Sequence, residues 1–113
     1  MKIASFTQDL QYNEKKPLVN IILETDNSKE IRIVFKRGQI MKEHKTPFPI
    51  LVQVFRGEID FGVNGKKHRL SEGSIIALGG GIPHDLVALN NSIVRLSLSK
   101  NDSIERVKNI KTS

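Results

Sequence analysis

The sequence predicts an all-β fold of antiparallel strands with one short helix at the C-terminal end. Three observations carry that expectation. Apolar residues come in runs of five to eight, alternating with polar residues or continuous, and Gly, Pro, Asn or Asp interrupts each run. Asn64-Gly65 lies between two alternating runs, the strongest short signal for a two-residue hairpin turn. A helical period appears only in the tail, at Ile104, Val107 and Ile110.

The elements follow in order. Residues 18–24 (LVNIILE) and 30–36 (EIRIVFK) flank the turn cluster TDNSK and read as a hairpin. In the second run Ile31, Ile33 and Phe35 alternate with Arg32, Val34 and Lys36. Arg37-Gly38 ends that run, and residues 39–44 (QIMKEH) begin the next. TPFP, residues 46–49, is a loop, because its two prolines lack the amide that a mid-sheet position must donate. A strand over 50–56 (ILVQVFR) follows, broken at Gly57.

The Asn64-Gly65 turn then sets a register. It places Val63 opposite Lys66, Gly62 opposite Lys67, Phe61 opposite His68, Asp60 opposite Arg69 and Ile59 opposite Leu70. One face receives Ile59, Phe61, Val63, His68 and Leu70, and the other a cross-strand Asp60–Arg69 pair. Turn type and side-chain sorting agree, which is what a fixed register requires. Residues 71–73 (SEG) form a turn, 74–78 (SIIAL) a short strand and 79–83 (GGGIP) a flexible connection. Residues 84–89 (HDLVAL) and 92–99 (SIVRLSLS) flank a tight turn at Asn90-Asn91. About nine strands so spaced predict a barrel or sandwich. Residues 101–110 form the helix, with Asp102 or Ser103 as its cap. The N-terminal residues 1–17 hold Ile3, Phe6, Leu10 and Tyr12 without a barrel position. They are expected to form an arm able to add a strand to a neighbouring subunit's sheet.

Composition narrows the function classes. A chain of 113 residues is read as one domain, 1–113, large enough to bury a core without cross-links. It has no Cys, which excludes cysteine-based zinc sites, thiol nucleophiles and disulfides. No stretch reaches the ~18 apolar residues of a membrane span, and the N-terminus lacks a signal peptide's apolar core, so a soluble cytoplasmic protein with no membrane partner is expected. The net charge of +6 invites a nucleic-acid reading. Against it, Lys and Arg are spread along the chain, and one Tyr and five Phe leave little for base stacking. GGGIP lacks the Lys-Ser/Thr and helix of a phosphate loop. No Ser occupies a nucleophile elbow, and Glu58, Asp60 and Glu72 fall on turns or the solvent face, which disfavours a paired-carboxylate mechanism.

Residues 30–98 resemble a cupin. Gly38, five residues and then His44 match the opening of the first cupin motif, and Ile50, six residues and Gly57 match its close. Gly73, five residues, Gly79-Gly80-Gly81, two residues and His84 match the frame of the second. The resemblance implies an antiparallel jelly-roll β-barrel over about 18–99, and a homodimer. In metal-binding cupins, two His and a Glu of the first motif and the His of the second hold a metal inside the barrel. His44 and His84 keep the first and last of these positions. The second His is Thr46, the Glu is Ile50, the closing Asn is Ala88 and the second-motif Pro is Gly79. A hydroxyl is a poor ligand and an isoleucine is none.

The resulting expectation is a barrel pocket lined by His44, Thr46, Phe48, Ile50, Phe61, His68 and His84. His44 and His84 are an incomplete ligand set for a divalent transition metal such as Fe, Ni, Zn or Mn, and no cofactor is certain. Glu43 and Asp85, adjacent to the histidines, are expected to point the opposite way, and Gln53 to face away from the Ile50 side. Phe48, between two prolines, is expected at the barrel mouth or against a second subunit. Binding of a small ligand in the barrel without a complete metal site is the leading function. The alternatives are a metal-dependent cupin enzyme, a dioxygenase or isomerase with a reduced His set, and an interaction module whose pocket has lost its role.

Overall fold

Alternating apolar side chains assemble nine strands into two facing antiparallel sheets. The structure is a computed structural model that describes residues 1–112. Its elements are β1 (Leu18–Glu24), β2 (Ser28–Phe35), β3 (Ile40–His44), β4 (Ile50–Arg56), β5 (Glu58–Val63), β6 (Lys66–Ser71), β7 (Ile75–Leu78), β8 (His84–Ala88), β9 (Ser92–Ser99) and α1 (Ile104–Lys108). One sheet has the order β1-β2-β9-β4-β7 and the other β3-β8-β5-β6, an antiparallel jelly-roll barrel. Ile31, Ile33 and Phe35 from β2, Val52 and Val54 from β4, and Ile59 and Phe61 from β5 meet between the sheets at 2% exposure or less. Each such side chain contributes about 1.5–3 kcal/mol by leaving water.

The β5–β6 hairpin has the register read from the sequence, from Val63↔Lys66 to Ile59↔Leu70. Asn64 and Gly65 take φ of 53° and 76°, the left-handed pair that a type I′ turn needs. β2 begins two residues earlier than expected. Its partner β9 pairs with it along the whole run from Ser28↔Ser99 to Phe35↔Ser92, and that ladder extends the strand through the turn cluster.

Residues 1–17 form no strand, and they pack on the outer face of their own five-stranded sheet. The Phe6 ring lies 5.7 Å from that of Phe55, and Arg32 Nη1 donates to Gln8 O at 2.8 Å. Lys36 pairs with Glu14, and Gln39 Nε2 donates to Asn13 O at 2.6 Å. Ile3, Phe6, Leu10 and Tyr12 lack the sustained period-2 spacing of a strand; Phe6 and Leu10 are half-buried, while Ile3 and Tyr12 stay exposed. Beneath this cover Arg32 and Val34, which alternate with Ile31, Ile33 and Phe35, are buried as well.

The C-terminal segment is tied to the barrel at both ends. Ser103 caps α1 by accepting from Glu105 N, while Asp102 turns inward to Thr46. Beyond the helix the chain returns along β3, with Lys42 N donating to Lys111 O at 2.7 Å and a Met41↔Thr112 bridge. This tail covers an edge that β3 otherwise leaves open.

Candidate functional site

A local irregularity in β3 creates the centre of the site. β3 pairs with β8 at Ile40↔Val87 and Met41↔Leu86, and the next pair is His44↔His84. Three steps on β3 therefore match two on β8, a bulge with one extra residue. Strict alternation from the buried Met41 would aim Glu43 inward and His44 outward. The bulge leaves Lys42 and Glu43 both exposed and turns His44 to the interior. On β8 alternation is regular: His84, Leu86 and Ala88 are buried, and Asp85 lies between them on the other face.

The two imidazoles are cross-strand neighbours, with ring centroids 4.3 Å apart and planes at 64°. Phe61 on β5 stacks on His84 at 5.5 Å and 15°, fixing that ring from behind. Each ring is also held by the backbone two residues before it. His44 Nδ1 lies 2.6 Å from Lys42 O, and His84 Nδ1 lies 2.9 Å from Ile82 O. A carbonyl only accepts, so both Nδ1 atoms carry the proton, and in the neutral ring each Nε2 is left as an acceptor. Neither Nε2 has a partner among the described residues.

These rings border a small cavity inside the barrel, closed at one end by α1. Ile50, Leu86 and Leu96 supply aliphatic wall, and Arg106, Val107 and Ile110 come from the C-terminal segment. The free space is about 20 Å³, enough for one or two waters. Among the described residues Arg106 is the charged residue of the lining, and no Asp or Glu borders the cavity. Burial pushes the His44 pKa down to about 4, with the neighbouring His84 ring and the Arg106 charge acting the same way, against its bond to the Lys42 carbonyl. Burial and Arg106 also lower His84. Both rings are therefore neutral at pH 7.

Arg106 is aimed by Asp102, one turn earlier. Its Nε and Nη2 donate to the two carboxylate oxygens at 2.8 and 2.9 Å, a bidentate pair. Asp102 also accepts from Ser103 N at 2.7 Å and from Thr46 Oγ1 at 2.8 Å. Burial alone would raise this carboxyl's pKa, and the bonds from Arg106, Ser103 and Thr46 outweigh it and hold it low.

Of the seven pocket residues expected from the sequence, His44, Ile50 and His84 line the cavity, and Phe61 backs it. Thr46 does not: it is buried at 3% exposure with its hydroxyl turned to Asp102. Phe48 is half-buried in the loop between β3 and β4, outside the cavity. His68 does share a face with Phe61, but β6 is the edge strand of its sheet and His68 is exposed there. Gln53 faces outward, beside Leu51 and Ile75. Arg106 was missed, although its place beside Val107 in the apolar stripe and four residues after Asp102 was visible.

The donor set does not suit a divalent metal. Among the described residues two imidazoles are its only ligands, since Ile50 stands where a carboxylate oxygen is needed, and the Arg106 guanidinium repels a cation. Among the described residues no three His, Cys, Asp or Glu side chains converge. No helix among them is long and apolar enough to cross a membrane.

Comparison with known proteins agrees with this architecture. Residues 31–98 match the sequence model of the AraC-like ligand binding domain family. An RmlC-like cupin protein from Desulfovibrio desulfuricans superposes with a TM-score of 0.80 at 20% identity, covering 88% of this chain and 96% of that one. A conserved Klebsiella pneumoniae protein with a double-stranded β-helix domain gives 0.79 at 21% identity, covering 90% and 88%. A conserved Streptococcus pyogenes protein of unknown function gives 0.75 at 22% identity, covering 90% of each chain. These identities speak for the fold alone. No curated protein matches the sequence.

Proposed function

Since the chain belongs to the AraC-like ligand binding domain family, and with it to the cupin superfamily, we propose that it binds a small molecule inside its barrel at His44 and His84. The observation that carries this reading is the pair of neutral rings 4.3 Å apart, each with an Nε2 unpartnered among the described residues, set with Arg106 in a cavity otherwise lined by apolar side chains. Convergent polar groups in an apolar recess are the ordinary form of a ligand pocket. The Arg106 charge favours this reading over a metal-dependent enzyme. The proposal extends to a cytoplasmic homodimer, supported by the exposed Leu51 and Ile75 on the outer face of β4 and β7. Light scattering checks the dimer against the 12.7 kDa of one chain.

The binding test is thermal unfolding of the intact chain against a panel of small polar organic molecules, repeated on His44→Ala and His84→Ala. Stabilisation by a compound that both variants abolish supports the proposal. Stabilisation that survives both variants, or none by any compound, overturns it. Stoichiometric retention of Fe(II), Ni(II), Zn(II) or Mn(II), lost in either variant, would establish the metal-dependent alternative instead.

A further inference from the structure

We propose that the occupant of this cavity is a small hydroxy acid, with its carboxylate on Arg106 and its hydroxyl donating to Nε2 of His44 or His84. The inference rests on the binding reading above and adds the chemistry that the walls demand of the ligand.

Each polar wall asks for something different. The two imidazoles spend their Nδ1 protons on the carbonyls of Lys42 and Ile82, so towards the cavity they offer lone pairs and need a donor. The guanidinium offers only donors and needs an acceptor, best an anion. Asp102 occupies its Nε and Nη2, while Nη1 makes no hydrogen bond among the described residues. A guanidinium held along one edge and open along the other is positioned to receive a second carboxylate. Around these groups lies aliphatic wall, including Ile33, Ile50 and Leu86, which takes carbon.

Simpler occupants leave one wall unsatisfied. A polyol satisfies the imidazoles and offers the guanidinium no charge. A plain carboxylate satisfies Arg106 and sets its oxygens against the imidazole lone pairs. A divalent cation satisfies the lone pairs and meets the Arg106 charge. A hydroxyl and a carboxylate on one short carbon skeleton answer all three surfaces.

Size adds a condition. A three-carbon acid exceeds the present free space of about 20 Å³, so α1 must move outward to admit it. The wall that moves is the one that carries Arg106, Val107 and Ile110. Its polar ties to the barrel are the Thr46–Asp102 bond, the Lys29 Nζ bond to Asp102 O and the pairing of the tail with β3, so the movement must also lift Val107 from the core.

Calorimetric titration of the intact chain at constant ionic strength, with lactate, propionate and propane-1,2-diol as probes, tests the assignment. The three share a carbon count and differ in the groups at issue. Lactate is expected to bind at least about ten-fold more tightly than either of the others. Arg106→Gln should erase that advantage and bring lactate down to the affinity of the diol, whereas a merely structural role for Arg106 would weaken both alike and leave the advantage of lactate in place. If the diol or propionate equals lactate, or if no probe binds, the hydroxy-acid assignment falls while ligands found by the panel keep the cavity reading intact. Lactate binding undiminished in the His44→Ala/His84→Ala double variant places the acid elsewhere and overturns the hydroxy-acid assignment. The comparison of probes on the unmodified chain decides the matter even where Arg106→Gln does not fold.

Discussion

Asp102→Ala should detach the C-terminal wall of the cavity, and its cost can be worked from the contacts. The carboxylate is 6% exposed and accepts four hydrogen bonds, two from Arg106, one from Ser103 N and one from Thr46 Oγ1. Removing one partner of a buried ion pair costs about 3–5 kcal/mol, because the other charge stays behind without compensation. Arg106 retains 24% side-chain exposure and can turn towards water, which lowers the expectation to about 2–3 kcal/mol. For a chain of this length that corresponds to a drop in Tm of roughly 8–12 °C. Asp102→Asn keeps the shape and an acceptor for Ser103 N, so it should fall between the two. The assay is thermal unfolding by circular dichroism at pH 7, with hydrogen exchange at the Asn109 and Ile110 amides, whose acceptors lie in α1. An Asp102→Ala chain that melts within about 2 °C of the parent, with both amides still protected, refutes the idea that this carboxylate anchors α1.

Acid should destabilise the fold through the histidines. Their folded pKa values lie below the unfolded value, so the unfolded chain binds more protons as pH falls from about 6.5 towards 4, and stability is lost across that window. Partial solvent access limits the His44 share to about 1–2 kcal/mol, and urea denaturation at stepped pH should show a slope that His44→Ala flattens. Gly80→Ala should cost about 1–3 kcal/mol in the same denaturation assay, because an added Cβ would stand 2.3 Å from Pro47 O, whereas Gly79→Ala meets only Ile82 Cδ1 at 3.5 Å and should be near neutral. Ile50→Glu alone should bind no Zn(II), because the new carboxylate pairs with Arg106, while Ile50→Glu with Arg106→Met should bind it measurably in an equilibrium dialysis.

The strands were legible because each is written locally. Period-2 alternation, two prolines and one Asn-Gly turn suffice to place nine strands and to set the β5–β6 register residue by residue. The departures arise where a neighbour distant in sequence decides the outcome. β9 lengthens β2, the arm buries Arg32, and the edge position of β6 exposes a histidine that the register sorted inward. Thr46 illustrates the same limit: spacing put it at a ligand position, and a bond to a residue 56 positions later turned it away from the cavity. Nor does spacing reveal the β3 bulge, because an extra residue alters facing without altering composition. His44 is an interior residue for that reason and not because of alternation.

The same distinction explains why the site's charge was not legible in the sequence. A motif read alone shows what is lost, and here it shows a carboxylate position filled by Ile50. It does not show what another segment supplies in return. α1 brings a guanidinium to the same cavity, oriented by a carboxylate that itself stays outside it. The change at Ile50 and the arrival of Arg106 act in one direction, each making the interior less hospitable to a cation and more so to an anion. Two histidines in a frame suited to metal therefore do not amount to a weakened metal site. With their Nδ1 protons committed to the backbone and a fixed positive charge beside them, they offer hydrogen-bond acceptors to a cavity whose charge comes from the C-terminal segment.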